Sequence, residues 1–552
     1  MDTKALERFA QAARRQLIDE VGAKLELVLV TDSAELRERA DAIQELRRQI
    51  KESSKQAVID RVAYTWFNRF CALRFMDANH YTRSGSVSSL PGHTQPEILQ
   101  DAKQGHIAED LKHAVDVDRI FALLSGELPS SNPQGEAYRL LLVGVCNSYH
   151  RQMPFLFEKI NDYTELLMPD DLLSEASILH SMREAMSEET CKDVEVIGWL
   201  YQYYVSERKD EVYGAIKKGK RIKAEDIPAA TQLFTPHWIV RYLVENSLGR
   251  LWMLNHPDSK LTERMEYYID DRDLPSDESK VTDFIQVSSP EEIKVCDPAC
   301  GSGHMLTYAF DLLHAIYEEQ GYDPREIPGL ILSKNLTGIE IDERAGALAA
   351  FALTMKAREK DARFFSRGVQ PGICVLEDVT FSPEELTTYM ERVGRNLFTA
   401  PLQETLEQFK DAKHFGSLIR PVLGDVSEIL RVLREKNVGG DIFLNETHQR
   451  VLKALRQADV LASQYHVVVA NPPYLGKGMN TELKDFAKKH YPDTKSDLFA
   501  MFMKRNTELA VADGQLGFMS PFVWMFISSY EKLRALITTK TVSYTHLTLP
   551  TN

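Results

Sequence analysis

The chain has 552 residues, enough for several domains and a sizeable core. Hydrophobic residues make up 43% and charged residues 27%, an ordinary globular composition, and the formal net charge of −15 excludes a globally basic nucleic-acid coat. A local basic groove on an acidic protein can still hold DNA, so nucleic-acid binding stays open.

The first residues include Asp2, Lys4, Glu7 and Arg8, which is no secretory signal. Residues 1–215 read as a helical N-terminal domain. In Arg61–Met76 the apolar residues Val62, Trp66, Phe70 and Leu73 recur at helical spacing and predict a buried face. A second helix is expected from Gly135 to His150. The basic run Lys217-Lys218-Gly219-Lys220-Arg221-Ile222-Lys223 reads as a solvated linker. An acidic, loop-like insert follows near Asp270–Lys280.

The pattern then changes to short apolar strands alternating with helices. Strands are expected at Ile293–Cys296, Leu336–Ile341, Gly372–Leu376, Val467–Ala470 and Gln515–Ser520, and helices at Met305–Glu319, Arg344–Arg358 and Ser529–Thr538. This alternation predicts an α/β domain over residues 216–540 with a mainly parallel sheet. The stretch between Asp378 and Asn471 is longer than a sheet crossover needs, and 384–463 is expected to be a helical insert. The longest apolar stretch, near Ala345–Met355, is too short to span a bilayer, so no membrane association and a cytoplasmic location are expected. The six cysteines, Cys71, Cys146, Cys191, Cys296, Cys300 and Cys374, form no CxxC pair and fit a reduced compartment. Cys296, Cys300 and His304 lack a fourth ligand, and no metal site is expected.

Three elements suggest a cofactor pocket. Val295-Cys296-Asp297-Pro298-Ala299-Cys300-Gly301-Ser302-Gly303-His304 follows a strand and opens a helix. Its glycines allow a tight turn and close backbone approach, and the positive end of the helix suits a carboxylate. Asp297, Ala299, Gly301 and Gly303 are the candidate contacts. Glu340, at the end of the second strand, can accept hydrogen bonds from two ribose hydroxyls, whereas Asp342 reads as a helix cap. Asp378, after the third strand, is a candidate acceptor for the amine of an adenine moiety, or else a turn residue. Upstream, Thr235-Pro236 reads as a helix start, with Thr235 as cap.

The strongest signal is the β-branched run that ends in Asn471-Pro472-Pro473-Tyr474. Two prolines stop the strand and fix a rigid corner at its carboxyl end, where open α/β sheets bind ligands. The side-chain oxygen of Asn471 and the carbonyl of Pro472 can accept both hydrogens of a planar aromatic amine. Tyr474 can stack on its ring. A structural corner is the competing explanation, disfavoured because the tetrapeptide follows three cofactor-like elements in order.

In this order the motifs resemble those of the amino-methylating DNA methyltransferases. Phe234-Thr235-Pro236 resembles their first cofactor-contacting motif, Asp297 to Gly303 their glycine motif, and Asn471-Pro472-Pro473-Tyr474 their catalytic motif. Ser496-Asp497-Leu498-Phe499 and Gly514 to Pro521 resemble the elements that complete the pocket, with Asp497 implied in binding base or cofactor. Thr65 to Phe70 and Ser520 to Tyr530 are similar to the adenine methyltransferases of BREX phage-exclusion systems (the PglX type). The resemblance implies a Rossmann-like, S-adenosylmethionine-dependent methyltransferase fold. It also implies transfer to the N6 amine of adenine in double-stranded DNA and work beside other phage-defence subunits.

Cytosine as target, a protein or RNA methyltransferase, and a scaffold without turnover are the alternatives. A fused restriction nuclease is another, because Pro169-Asp170 and Glu207-Arg208-Lys209 match a nuclease pattern by letters but fall in helical sequence. Residues 541–552 contain no Asp, Glu, Lys or Arg. They are expected to be a non-native tail, standing where further strands and a target-recognition region would follow.

Overall fold

A computed structural model of the chain describes residues 3–160, 162–223, 226–231, 235–270, 284–393, 400–436, 438, 441–476 and 478–541. Two units cluster separately: Met1–Glu207 with Ala350–Gln370, and Arg208–Ala349 with Pro371–Asn552. Most of the acidic insert near Asp270–Lys280 and all of the expected tail beyond Thr541 lie outside the described residues.

The first unit is helical. Its principal helices are α1 (Thr3–Val30), α2 (Lys55–Ala78), α3 (Pro133–Tyr149) and the front of α4 (Glu195–Lys217). α1 buries Leu6, Phe9, Ala13, Leu17, Val21 and Leu25, a stripe at spacings of three and four. α2 buries the expected Val62, Trp66, Phe70 and Leu73, but also Tyr64, Phe67, Cys71 and Phe75 on its other sides. A helix apolar all round belongs at the centre of a bundle. Phe67 accordingly meets Phe9 from α1 and Tyr204 from α4, with ring centroids 6.2 and 4.5 Å away. At the end of α2 the buried Asp77 accepts the backbone N–H groups of Ser86, Val87 and Ser88 and the Thr82 hydroxyl, fixing the next loop.

The second unit holds five strands: β1 (Val295–Asp297), β2 (Leu336–Glu340), β3 (Ile373–Val375), β4 (Tyr465–Ala470) and β5 (Ala510–Phe518). They pair in the order β3-β2-β1-β4-β5, and every pairing is parallel. The α/β expectation therefore holds. Helices α5 (His237–Val244), α6 (His304–Glu319), α7 (Glu343–Lys360), α8 (Ile442–Ala462), α9 (Thr481–His490), α10 (Leu498–Leu509) and α11 (Glu531–Lys540) accompany the sheet.

β5 begins five residues earlier than the sequence suggested, at Ala510 rather than Gln515. Tyr465 pairs with Ala510 and Val467 with Gln515, so β5 carries a bulge, with Asp513 at φ +59°. Between β3 and β4 the chain is helical over Pro383–Val393, Ala400–Gln408, Val426–Arg434 and α8. Leu386, Tyr389, Leu402, Leu430 and Leu455 pack this segment against Ile339 and Val468 of the sheet. Buried Arg505 of α10 fastens it further, donating to the carbonyls of Ser417 and Leu461 at 2.9 and 2.5 Å. Among the described residues, no helix is long and apolar enough to cross a membrane.

Candidate functional site

The strand order reverses between β1 and β4, and a crevice opens at the carboxyl ends of the strands at such a switch point. The glycine turn leaves β1 there, and Asn-Pro-Pro-Tyr leaves β4. Glu340 ends the neighbouring β2.

In the glycine turn, Gly301 and Gly303 take φ of +54° and +90°, a left-handed conformation costly for other residues. A Cβ at Gly301 would meet nothing within 4 Å, so its backbone faces open space at the start of α6. A Cβ at Gly303 would lie 3.1 Å from Ala349 Cα, so that glycine serves the approach of α7. Asp297 is 2% exposed and accepts the Ala299 N–H at 3.1 Å, holding the turn shut from below. Burial lifts its carboxyl to about 8.

Glu340 binds the turn to β2. Its Oε2 accepts the Gly301 N–H at 2.8 Å, and its Oε1 accepts those of Ile341 and Asp342 at 2.9 and 3.0 Å. Burial raises this carboxyl to about 7 against the pull of those three donors. Asp342 accepts the Arg344 N–H at 3.0 Å as α7 starts, as a cap does. An open glycine cradle beside a carboxylate at the strand end fits a ligand that presents a carboxylate and a ribose diol.

The corner after β4 is tied to three other segments. Asn471 Nδ2 donates to Thr235 Oγ1 at 3.0 Å, which fixes the amide with its oxygen turned the other way. The Tyr474 hydroxyl donates to Asn471 Oδ1 at 3.0 Å and lies 3.3 Å from the Met519 carbonyl. The Tyr474 ring packs edge-on to Phe499 of α10 at 6.1 Å, and burial keeps its phenol neutral well above the usual range. Asp497 accepts the N–H groups of Leu475 and Phe499, so it both caps α10 and pins the corner.

Thr235 is not the helix cap that its position suggested. α5 starts at His237 with Pro236 as its cap residue and no side-chain cap bond. The threonine hydroxyl serves Asn471 instead, a long-range partnership invisible in the local pattern. Phe234 lies outside the described residues.

Asp378 follows β3. It is exposed, and its Oδ1 accepts the Lys413 N–H at 2.8 Å, the turn-like alternative. That contact secures the loop on which Ser417 donates to the Pro298 carbonyl at 2.5 Å. A Cβ on Gly416 would meet Ile341 at 3.0 Å, and Phe415 packs in one cluster with Ile341 and Ala299. The inserted segment thus supplies a wall beside the glycine turn that no motif announced.

A second unforeseen group is Glu245, fully buried in a π-helical turn after α5. It accepts the Tyr308 hydroxyl of α6 at 2.5 Å and pairs with Arg241 at 3.2 Å, locking the helix after Thr235 to the helix after Gly303. π-turns of this kind are frequent at functional sites. The nuclease-like letters dissolve: Asp170 is held by Lys24 and Arg139, and Glu207 by Arg14 and Arg15, all among helices and turns.

The family model described as Eco57I restriction-modification methylase matches residues 334–547, and that of the MmeI DNA-methyltransferase domain matches residues 278–370. The adenine-specific methyltransferase BrxX of Escherichia coli O9:H4 (strain HS) is 42% identical over 532 residues, covering 91% of this chain and 43% of BrxX. The adenine-specific methyltransferase PglX of Lacticaseibacillus casei (strain Zhang) is 34% identical, covering 97% of this chain and 48% of PglX. The chain therefore spans less than half the length of these relatives. A solved complex of the Type IIL restriction-modification enzyme MmeI with DNA is 13% identical, with a TM-score of 0.36, covering 94% of this chain and 50% of that one.

Proposed function

Since this chain is a relative of the adenine-specific methyltransferases BrxX and PglX along nearly its whole length, we propose that it transfers a methyl group from S-adenosylmethionine to the N6 amine of adenine in double-stranded DNA. The observation that carries this reading is the meeting of two motifs at the switch point of the sheet: the glycine turn with Glu340, and the Asn471 corner locked to Thr235.

The cofactor would supply a methyl group on a sulfonium, an electrophile that needs no prior activation. The open backbone at Gly301 and the start of α6 would receive its carboxylate end, with Gly303 letting α7 approach the turn, and Glu340 would take its ribose hydroxyls. Asn471 Oδ1 and the Pro472 carbonyl would accept the two hydrogens of the target amine. Accepting both draws the nitrogen towards a tetrahedral, nucleophilic geometry, and in-line positioning supplies most of the acceleration. The Tyr474 hydroxyl donates to the same Oδ1 and would share it with the amine. The amine of a paired adenine is engaged in the duplex, so the base must flip out, at a cost of a few kcal/mol. Stacking on Tyr474 offsets part of this. We read the biological role as marking host DNA in phage defence, together with other subunits.

The test supplies labelled S-adenosylmethionine with duplex DNA, RNA or protein extract, and follows the label into N6-methyladenine. Label in duplex adenine, lost in Asn471→Ala while cofactor binding persists, is the expected result. Label confined to RNA, protein or cytosine, or undiminished turnover in Asn471→Ala, overturns the reading. Methylome sequencing and a phage challenge of cells with and without the gene test the defence role.

A further inference from the structure

The basic run 217–223 reads in sequence as a solvated linker. In the structure it is seated on the segment that follows Asn-Pro-Pro-Tyr. The Ile222 amide donates to the Gly478 carbonyl at 3.4 Å, and Arg221 donates to Thr481 Oγ1 at 2.6 Å. A Cβ at Gly478 would come within 3.3 Å of Ile216, so the two segments approach closely there. Beneath the surface, Ile222, Met479 and Leu483 share one apolar cluster with Leu475, the residue after the corner.

Two basic stretches separated by 260 residues thereby become one face. Lys217, Lys218, Lys220 and Arg221 are exposed on the linker, and α9 adds half-buried Lys484 and exposed Lys489. The bordering acids are largely taken among the described residues: Asp226 and Glu211 by Arg208, and Asp485 by Lys488. Glu482 is the remaining carboxylate on α9. On a chain of net charge −15, this concentration of cations adjoins the candidate catalytic corner.

We propose that Lys217, Lys218, Lys220 and Arg221, with Lys484 and Lys489, form one surface that grips the phosphate backbone of duplex DNA beside Asn471. This rests on the reading that the chain acts on DNA. Flexible ammonium groups suit phosphates as point charges, and phosphate contacts set position without reading sequence. The Arg221–Thr481 bond holds the linker half in register with α9.

Binding of a labelled duplex of random sequence to the 552-residue chain, followed across a salt series, tests this directly. One variant carries Lys217→Gln, Lys218→Gln and Lys220→Gln; a second carries Lys484→Gln and Lys489→Gln. Each is expected to weaken binding on every sequence alike and to flatten the slope of log K against log salt by about 0.9 per lost phosphate contact. The same positions changed to Arg should keep the wild-type slope, and cofactor affinity should be unchanged throughout. A linker variant with the wild-type slope, or one with altered sequence preference, overturns the shared phosphate surface while leaving the proposed reaction standing. Wild-type protein that neither binds nor methylates duplex DNA overturns the functional reading itself.

Discussion

Replacing Thr235 with Val keeps the shape of the side chain and removes the oxygen to which Asn471 Nδ2 donates. A hydrogen bond of this kind is worth about 1 kcal/mol net, so the freed amide should lower kcat about fivefold. Cofactor affinity should change little, and Thr235→Ser should restore the rate. Single-turnover methylation with parallel calorimetry checks this, and equal loss of rate and cofactor affinity would speak for a direct contact instead. Tyr474 has two separable parts. Its ring should stack on the flipped base, worth about 1–3 kcal/mol, and its hydroxyl occupies one lone pair of Asn471 Oδ1. Tyr474→Ala should raise KM for DNA roughly tenfold, in keeping with that stacking energy. Tyr474→Phe should leave KM near wild type. A Phe variant as damaged as the Ala variant would place the function in the hydroxyl.

At the scale of elements, the two glycines of the turn after β1 should separate binding from folding. Gly301 is left-handed but faces open space, whereas Gly303 is left-handed with Ala349 Cα 3.1 Å from any added Cβ. Both Ala substitutions cost roughly 1–2 kcal/mol of backbone strain. Gly301→Ala should add a methyl group to the proposed cofactor cradle and weaken S-adenosylmethionine binding more than it lowers Tm. Gly303→Ala should mainly lower Tm by pushing α7 away. Thermal scans with and without S-adenosylmethionine decide between them, and identical behaviour would refute the division. The turn was legible in sequence because its requirements are local: strand, glycines, helix start. The same holds for Asn471 and its prolines. What escaped were partnerships across the chain. Thr235 read as a cap because a Thr-Pro pair looks like one, and nothing nearby points to Asn471. Asp378 and Lys413 lie 35 residues apart, and the bulge in β5 is visible only once Tyr465 and Val467 find their partners.

For the molecule as a whole, buried Asp297 and half-buried Glu340 at the switch point should make folding and the proposed cofactor binding respond to pH in opposite directions. Asp297 and Glu340 rise by burial to about 8 and about 7 from ordinary values of 3.8 and 4.5. The folded state therefore holds protons that the unfolded state releases between these limits. Stability is fully present below the unfolded values and is lost as pH rises through 7 to 8. Between about pH 6 and pH 9 the Tm of the cofactor-free protein should fall, by on the order of 5 °C, and Asp297→Asn should flatten that fall. Cofactor binding should run the other way. Ribose hydroxyls donate best to an ionised Glu340, so affinity should rise with pH through about 7, by at most about tenfold per pH unit. Binding at about pH 6 should then release protons, seen as heats that differ between buffers of different ionisation enthalpy. Glu340→Gln should bind more weakly and lose both the pH dependence and the proton release. If that variant keeps the wild-type pH profile, the titrating group lies elsewhere and Glu340 does not hold the ribose.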